Sequence, residues 1–199
     1  MSFAVKGVRI HVSFLFVSLI ALYILFTPAA ESAFFLLAVS LHELGHLLAL
    51  FAFGAPPSGV ELRSFGIRIV RRGMPLTAGR ELIVLLAGPC VNLLLAALFF
   101  AASLAGLEAL RSPALMNLML ALFNLFPVGC LDGGGILRCL LELRLSPRAA
   151  DVVCLAVAIA FLLPLLVVGT LLLLRPPHTP SLLVTAVYLT ATLLRDICR

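Results

Sequence analysis

The chain has 199 residues, 63% of them hydrophobic and 12% charged, with 14 lysines and arginines against 9 acidic residues for a net charge of +5. A water-soluble domain normally carries about 25% charged residues, so this composition excludes both a soluble globular domain and a disordered tail. The basic residues stand singly between long apolar runs and read as membrane-topology signals, so no nucleic-acid partner is expected.

A bilayer core about 30 Å thick needs about 20 apolar residues per helix. Six segments reach or approach that length: 10–28, 32–53, 81–106, 113–126 with a continuation past 133, 150–174 and 180–195. Lys6 and Arg9 precede the first, but its apolar stretch is longer than that of a secretory signal, so it is kept as a span. With the N-terminus in the cytoplasm, Lys6, Arg9, Arg63, Arg68, Arg71, Arg72, Arg80, Arg138, Arg144, Arg148, Arg195 and Arg199 fall inside, and Arg111 and Arg175 outside. The expectation is an all-α polytopic membrane protein of about six transmembrane helices, the fourth broken, with both termini cytoplasmic. It forms one domain over 1–199. Between the second and third spans, Gly59 to Arg72 combines β-branched residues, partial alternation and a central Gly66. That pattern predicts a short cytoplasmic β-hairpin-like loop. Its edge can pair with an extended substrate, or the basic loop can lie on anionic lipid. Cys90, Cys130, Cys139, Cys154 and Cys198 include no CxxC pair and read as buried small residues rather than disulfides or a cysteine-only zinc cluster.

Charges inside the spans are the informative residues, because each costs about 2.5 to 3.5 kcal/mol at a helix centre. Among the acidic residues, Glu43 and Asp132 fall at clear membrane depth. Glu43 lies in His42-Glu43-Leu44-Gly45-His46, the HExxH pattern. His42 and His46 are one helical turn apart, so both imidazoles leave the same face and can take two corners of a zinc tetrahedron. Glu43 can reach a metal-bound water as general base. Zinc hydrolases usually have three protein ligands and an open position for water. His11, near the cytoplasmic end of the first span, and His178, in an outer loop, are poorly placed for the third, which leaves Asp132.

Depth arithmetic supports that choice. At 1.5 Å per residue, His46 lies about 21 Å below the outer start of its span, and the chain from Pro113 to Phe126 descends about as far. The segment that follows cannot be regular helix: Pro127 removes a donor, and Gly129 with Gly133, Gly134 and Gly135 loosens the backbone. Irregular backbone at membrane depth is tolerated where it is buried in protein or lines a wet cavity. The plain alternative is that Asp132 caps a helix restarting at Gly133.

His42 to His46, Asn124-x-x-Pro127-x-x-x-Leu131-Asp132-Gly133-Gly134, and Ala87-Gly88-Pro89-x-x-Asn92 together resemble the motifs of the site-2 intramembrane zinc metalloproteases. The resemblance covers a core from about residue 8 to 145, with additional spans over 150–199. It implies that His42, His46 and Asp132 bind zinc and that Glu43 is the catalytic acid/base. The compact form resembles the sporulation branch, stage IV sporulation protein FB, whose members cleave a membrane-associated precursor of a sigma factor. Members of that branch often carry a C-terminal regulatory CBS domain, which is not found before Arg199. The PDZ insertion of the branch that cleaves anti-sigma factors is also not found, so that substrate class is not expected.

The implied activity is hydrolysis of a peptide bond in or near the membrane segment of a membrane-associated protein. The lipid bilayer is the second partner, and a regulatory membrane partner and the oligomeric state stay open. The location implied is a bacterial cell membrane. Asn92 and Asn124 are amides at or near membrane depth that can donate to a tetrahedral oxyanion or to substrate backbone, or simply bond between helices. Gly88 and Pro89 are expected to permit close packing or a kink. Two rival readings are a metal transporter, which would need polar residues continuing to the outer face, and a catalytically inactive membrane scaffold.

Overall fold

Val8-Arg9-Ile10-His11-Val12 alternates apolar and basic side chains with a period of two, which is a strand pattern rather than the start of a membrane run. In the computed structural model it forms β2 (Val8–Val12), paired antiparallel with β1 (Ser2–Val5). The structure describes residues 2–5, 8–12, 18, 21, 23–63, 66–71, 76–176 and 180–197. The expected first span therefore does not begin at residue 10. Helical backbone is described at 18, 21 and 23–26, and residues 13–17, 19, 20 and 22 lie outside the described residues, as do Lys6, Arg72, His178, Cys198 and Arg199.

The chain forms two compact units, Met1–Leu122 and Phe123–Arg199. In the first, β3 (Pro57–Arg63) pairs parallel with β2 and antiparallel with β4 (Gly66–Arg71), giving one sheet in the order β1-β2-β3-β4. A parallel pair needs a crossover connection, and here the crossover contains α1 (Ala29–Ala52). Pro28 precedes α1. Its end is a Schellman turn: Ala55 N–H donates to Leu50 O and Gly54 N–H to Phe51 O. Gly54 has φ +67°, the left-handed conformation that this turn requires and that glycine adopts without strain.

Next comes α2 (Ala78–Leu104), with Pro89 inside it, then a short 3-10 turn (Glu108–Leu110) and α3 (Arg111–Asn124). The crossing of α1 and α2 is close because small residues face each other. A methyl group on Gly45 would lie 2.9 Å from the Ala87 carbonyl oxygen and 3.0 Å from a Val91 methyl. In membranes, where burial adds no hydrophobic force between helices, such small-residue contacts are what hold helices together.

In the second unit, residues 125–131 are irregular and lead into α4 (Asp132–Glu142), α5 (Pro147–Leu174) and α6 (Ser181–Ile197). The glycine run has a steric reason. A methyl on Gly133 would strike the Leu125 and Phe126 carbonyls, and one on Gly134 the Val128 carbonyl, so the loop can fold onto the first turn of α4 only with bare backbone there. Ser146 Oγ accepts from Ala149 N–H with Pro147 opening α5, a standard helix start. Val128, Ala158, Leu162 and Leu189 form the buried core of this unit. Arg138 bridges Glu142 at 2.8 Å and Asp151 at 3.1 Å, linking α4 to α5. Half-exposed pairs of this kind contribute up to about 1 kcal/mol.

Three helices among the described residues are long and apolar enough to cross a membrane: α1, α2 and α5. At 1.5 Å per residue even α1 is about 36 Å long, beyond the hydrocarbon thickness. α3 stops after 14 residues, and α6 is a shorter apolar helix. The chain is an integral membrane protein, mostly helical, and β2 takes residues 10–12 of the expected first span. Burial of the cysteines holds for Cys139, whereas Cys90 and Cys130 are exposed and Cys154 is half-buried.

Candidate metal centre

His42 and His46 sit on one face of α1 and are 4% and 7% exposed, so neither ring is solvated and each nitrogen needs a partner. The rings stand edge to face, with centroids 4.8 Å apart and planes at 81°. Their Nε2 atoms face one another at 3.2 Å. The opposite nitrogens are held from α2: His46 Nδ1 lies 2.7 Å from the Val84 carbonyl oxygen, and His42 Nδ1 lies 2.5 Å from Asn92 Oδ1.

These contacts determine where the protons are. A backbone carbonyl can only accept, so His46 Nδ1 carries its hydrogen and Nε2 keeps a lone pair. For His42 the same conclusion follows through two amides. Asn117 Nδ2 donates to the Pro113 carbonyl at 2.9 Å, which turns Asn117 Oδ1 toward Asn92. Asn92 Nδ2 donates to that oxygen at 2.9 Å and to the Ala38 carbonyl at 3.2 Å. Asn92 therefore presents Oδ1 to His42, whose Nδ1 must donate. Both Nε2 atoms thus offer lone pairs to the same point. With zinc–nitrogen bonds of about 2.0–2.1 Å, the edge of a tetrahedron is about 3.3 Å, so the 3.2 Å separation fits two corners of a zinc site.

Gly88 on α2 completes this side of the site. A methyl at Gly88 would come 2.8 Å from His42 Nε2 and 2.7 Å from His46 Cε1. The packing role expected of Gly88 thus gains a more specific content: it keeps the space beside the two nitrogens open. Gly88→Ala is expected to weaken zinc binding by at least about tenfold, the scale on which disturbed ligand support acts, while α1 and α2 still form. Competition with a chelating dye, alongside circular dichroism, measures both.

Glu43 follows His42 on α1 and is half-buried. Asn92 is fully buried, and both its amide hydrogens are committed to Ala38 and Asn117. Of the two readings of Asn92, the structure shows the bond between helices: its hydrogens go to Ala38 and Asn117, and its oxygen faces His42 Nδ1. Sequence reasoning misses Asn117, although its signal is there, an amide within the apolar run 113–126. Asn124 ends α3 and Asp132 begins α4, both half-buried and both in the second unit.

Residues 106–165 match the model of peptidase family M50. Over 153 residues, 70% of this chain, the sequence is 33% identical to a zinc metalloprotease of Methanocaldococcus jannaschii. The match assigns residues 106–165 to peptidase family M50, the site-2 proteases. A solved structure of a site-2 protease from the same organism superposes with a TM-score of 0.68 at 24% identity, over 95% of this chain and 92% of that one, and it shows the fold. The chain spans 44% of the length of the matched zinc metalloprotease. Zinc is the cofactor that the family and the paired lone pairs agree on.

Proposed function

We propose that this chain is an intramembrane zinc metalloendopeptidase that hydrolyses a peptide bond in or near the membrane segment of a membrane-associated protein. The observation that carries this reading is the pair of buried Nε2 lone pairs converging at 3.2 Å on a membrane-length helix, with a carboxylate, Glu43, in the same turn. Zinc, when bound, supplies Lewis-acid polarisation of a carbonyl and makes a water more acidic. Glu43 takes a proton from the attacking water and returns it to the leaving nitrogen as the carbon–nitrogen bond breaks. Asp132 is proposed as the third ligand: two imidazoles and one carboxylate suit zinc, and the irregular segment before α4 suits a wet site at membrane depth. Asn124, at the end of α3, is proposed to support the substrate backbone or the oxyanion.

The same reading takes residues 8–145 as the catalytic core and 150–199 as additional spans, with about six crossings, both termini cytoplasmic and a bacterial cell membrane as the location. β1 and β4 are the outer strands of the sheet, and such edges can pair with an unwound substrate segment. Unwinding is required, because a helical substrate keeps its carbonyls in hydrogen bonds. A membrane-associated sigma-factor precursor is the first substrate to test.

The test uses the purified chain in lipid vesicles with such a substrate and reads cleavage and zinc entry together. A protease cuts the substrate and moves no zinc across the bilayer. Zinc entry without cleavage would assign a transporter, and neither activity would assign a scaffold.

A further inference from the structure

The mechanism uses His42, Glu43 and His46, yet a buried amide bonded at both its oxygen and its nitrogen lies behind them in the first unit. Asn117 is 2% exposed on α3, a helix otherwise rich in leucine, methionine and alanine. An amide buried so deeply costs free energy unless it is bonded, and here its oxygen and its nitrogen are each bonded within α2 and α3. Its orientation has one consistent solution, because Pro113 O accepts only. Through Asn92 that orientation reaches His42 Nδ1, two hydrogen bonds away.

We propose that Asn117 is a positioning residue of the metal centre: acting through Asn92, it holds the His42 imidazole in the tautomer and rotation that present Nε2 to the metal. The inference rests on the reading of His42 and His46 as ligands. Ala38 O anchors Asn92 at 3.2 Å, the longer of its two donor contacts, and Asn117 anchors it at 2.9 Å. Without Asn117, one Asn92 hydrogen would be left unpaired in an apolar setting, and the amide would turn to pair it at the expense of its bond to His42.

Cobalt binding tests this directly, because the visible absorption bands of a bound cobalt ion report ligand geometry independently of catalysis. In the purified full chain, Asn117→Leu is expected to weaken cobalt binding by about tenfold and to shift the bands, as loss of a partner behind a ligand does. Asn117→Asp retains an oxygen that accepts from Asn92 Nδ2, and is expected to bind within about threefold of the native chain, on the same principle. In an Asn92→Ala background, Asn117→Leu should add nothing, since its route to the metal has been removed. The proposal is overturned if Asn117→Leu binds cobalt with native affinity and bands, if Asn117→Asp loses as much as Asn117→Leu, or if the leucine effect persists undiminished without Asn92. A native chain that binds no cobalt would instead reject the ligand reading on which the proposal stands.

Discussion

Glu43→Gln is expected to leave zinc bound and to slow peptide hydrolysis by about 10²–10⁴-fold, the contribution of a well-placed acid–base group. Glutamine keeps the size of the side chain and an oxygen that can accept a hydrogen bond from water, but it cannot take up the proton. Metal binding should survive because Asn92 and Val84, both on α2, hold the Nδ1 atoms of the two imidazoles. Zinc analysis of the purified variant and cleavage of a membrane-protein substrate, measured on one preparation, check both halves. Native cleavage by Glu43→Gln would remove Glu43 from the chemistry.

Much of the centre is legible in the amino-acid sequence because its parts are local. His42 and His46 are four residues apart, so helical geometry alone puts them on one face. Pro127 disfavours regular helix by its own covalent structure and the chain is irregular from 125 to 131, whereas Gly133, Gly134 and Gly135, expected to loosen the backbone, lie in the first turn of α4. What a sequence does not reveal is anything carried across the chain. The bond from His42 to Asn92 joins positions 50 apart, and that from Asn92 to Asn117 joins positions 25 apart. No local pattern shows which of two amide groups faces a ring, so the sequence leaves Asn92 open between a donor to substrate and a bond between helices, and in the structure its hydrogens are taken.

The N-terminal region misleads for a different reason. An apolar tally rewards Ile10 and Val12 and ignores that Arg9 and His11 alternate with them, whereas the period of the pattern, not its hydrophobic content, separates strand from helix. The partner that makes a strand there stable, β3, lies some fifty positions later in the chain, at Gly59 to Leu62. The same alternation runs weakly through Gly59 to Arg72, where β3 and β4 pair.

His46→Ala is the variant with the largest expected effect on the metal. It removes one of two converging Nε2 atoms and leaves His42 with Asn92 behind it but no partner across the 3.2 Å gap. Zinc affinity should fall by more than about a hundredfold, beyond the range seen when only supporting groups are lost, and hydrolysis should fall with it. Retained zinc at native affinity would place the ion elsewhere. Whether two α1 imidazoles hold the ion is read from the zinc-edge X-ray absorption spectrum of the native chain purified in detergent. A low-coordinate shell of nitrogen and oxygen with the outer-shell signature of two imidazoles is expected, and a sulfur-dominated shell or one without imidazole would show that other groups hold the ion.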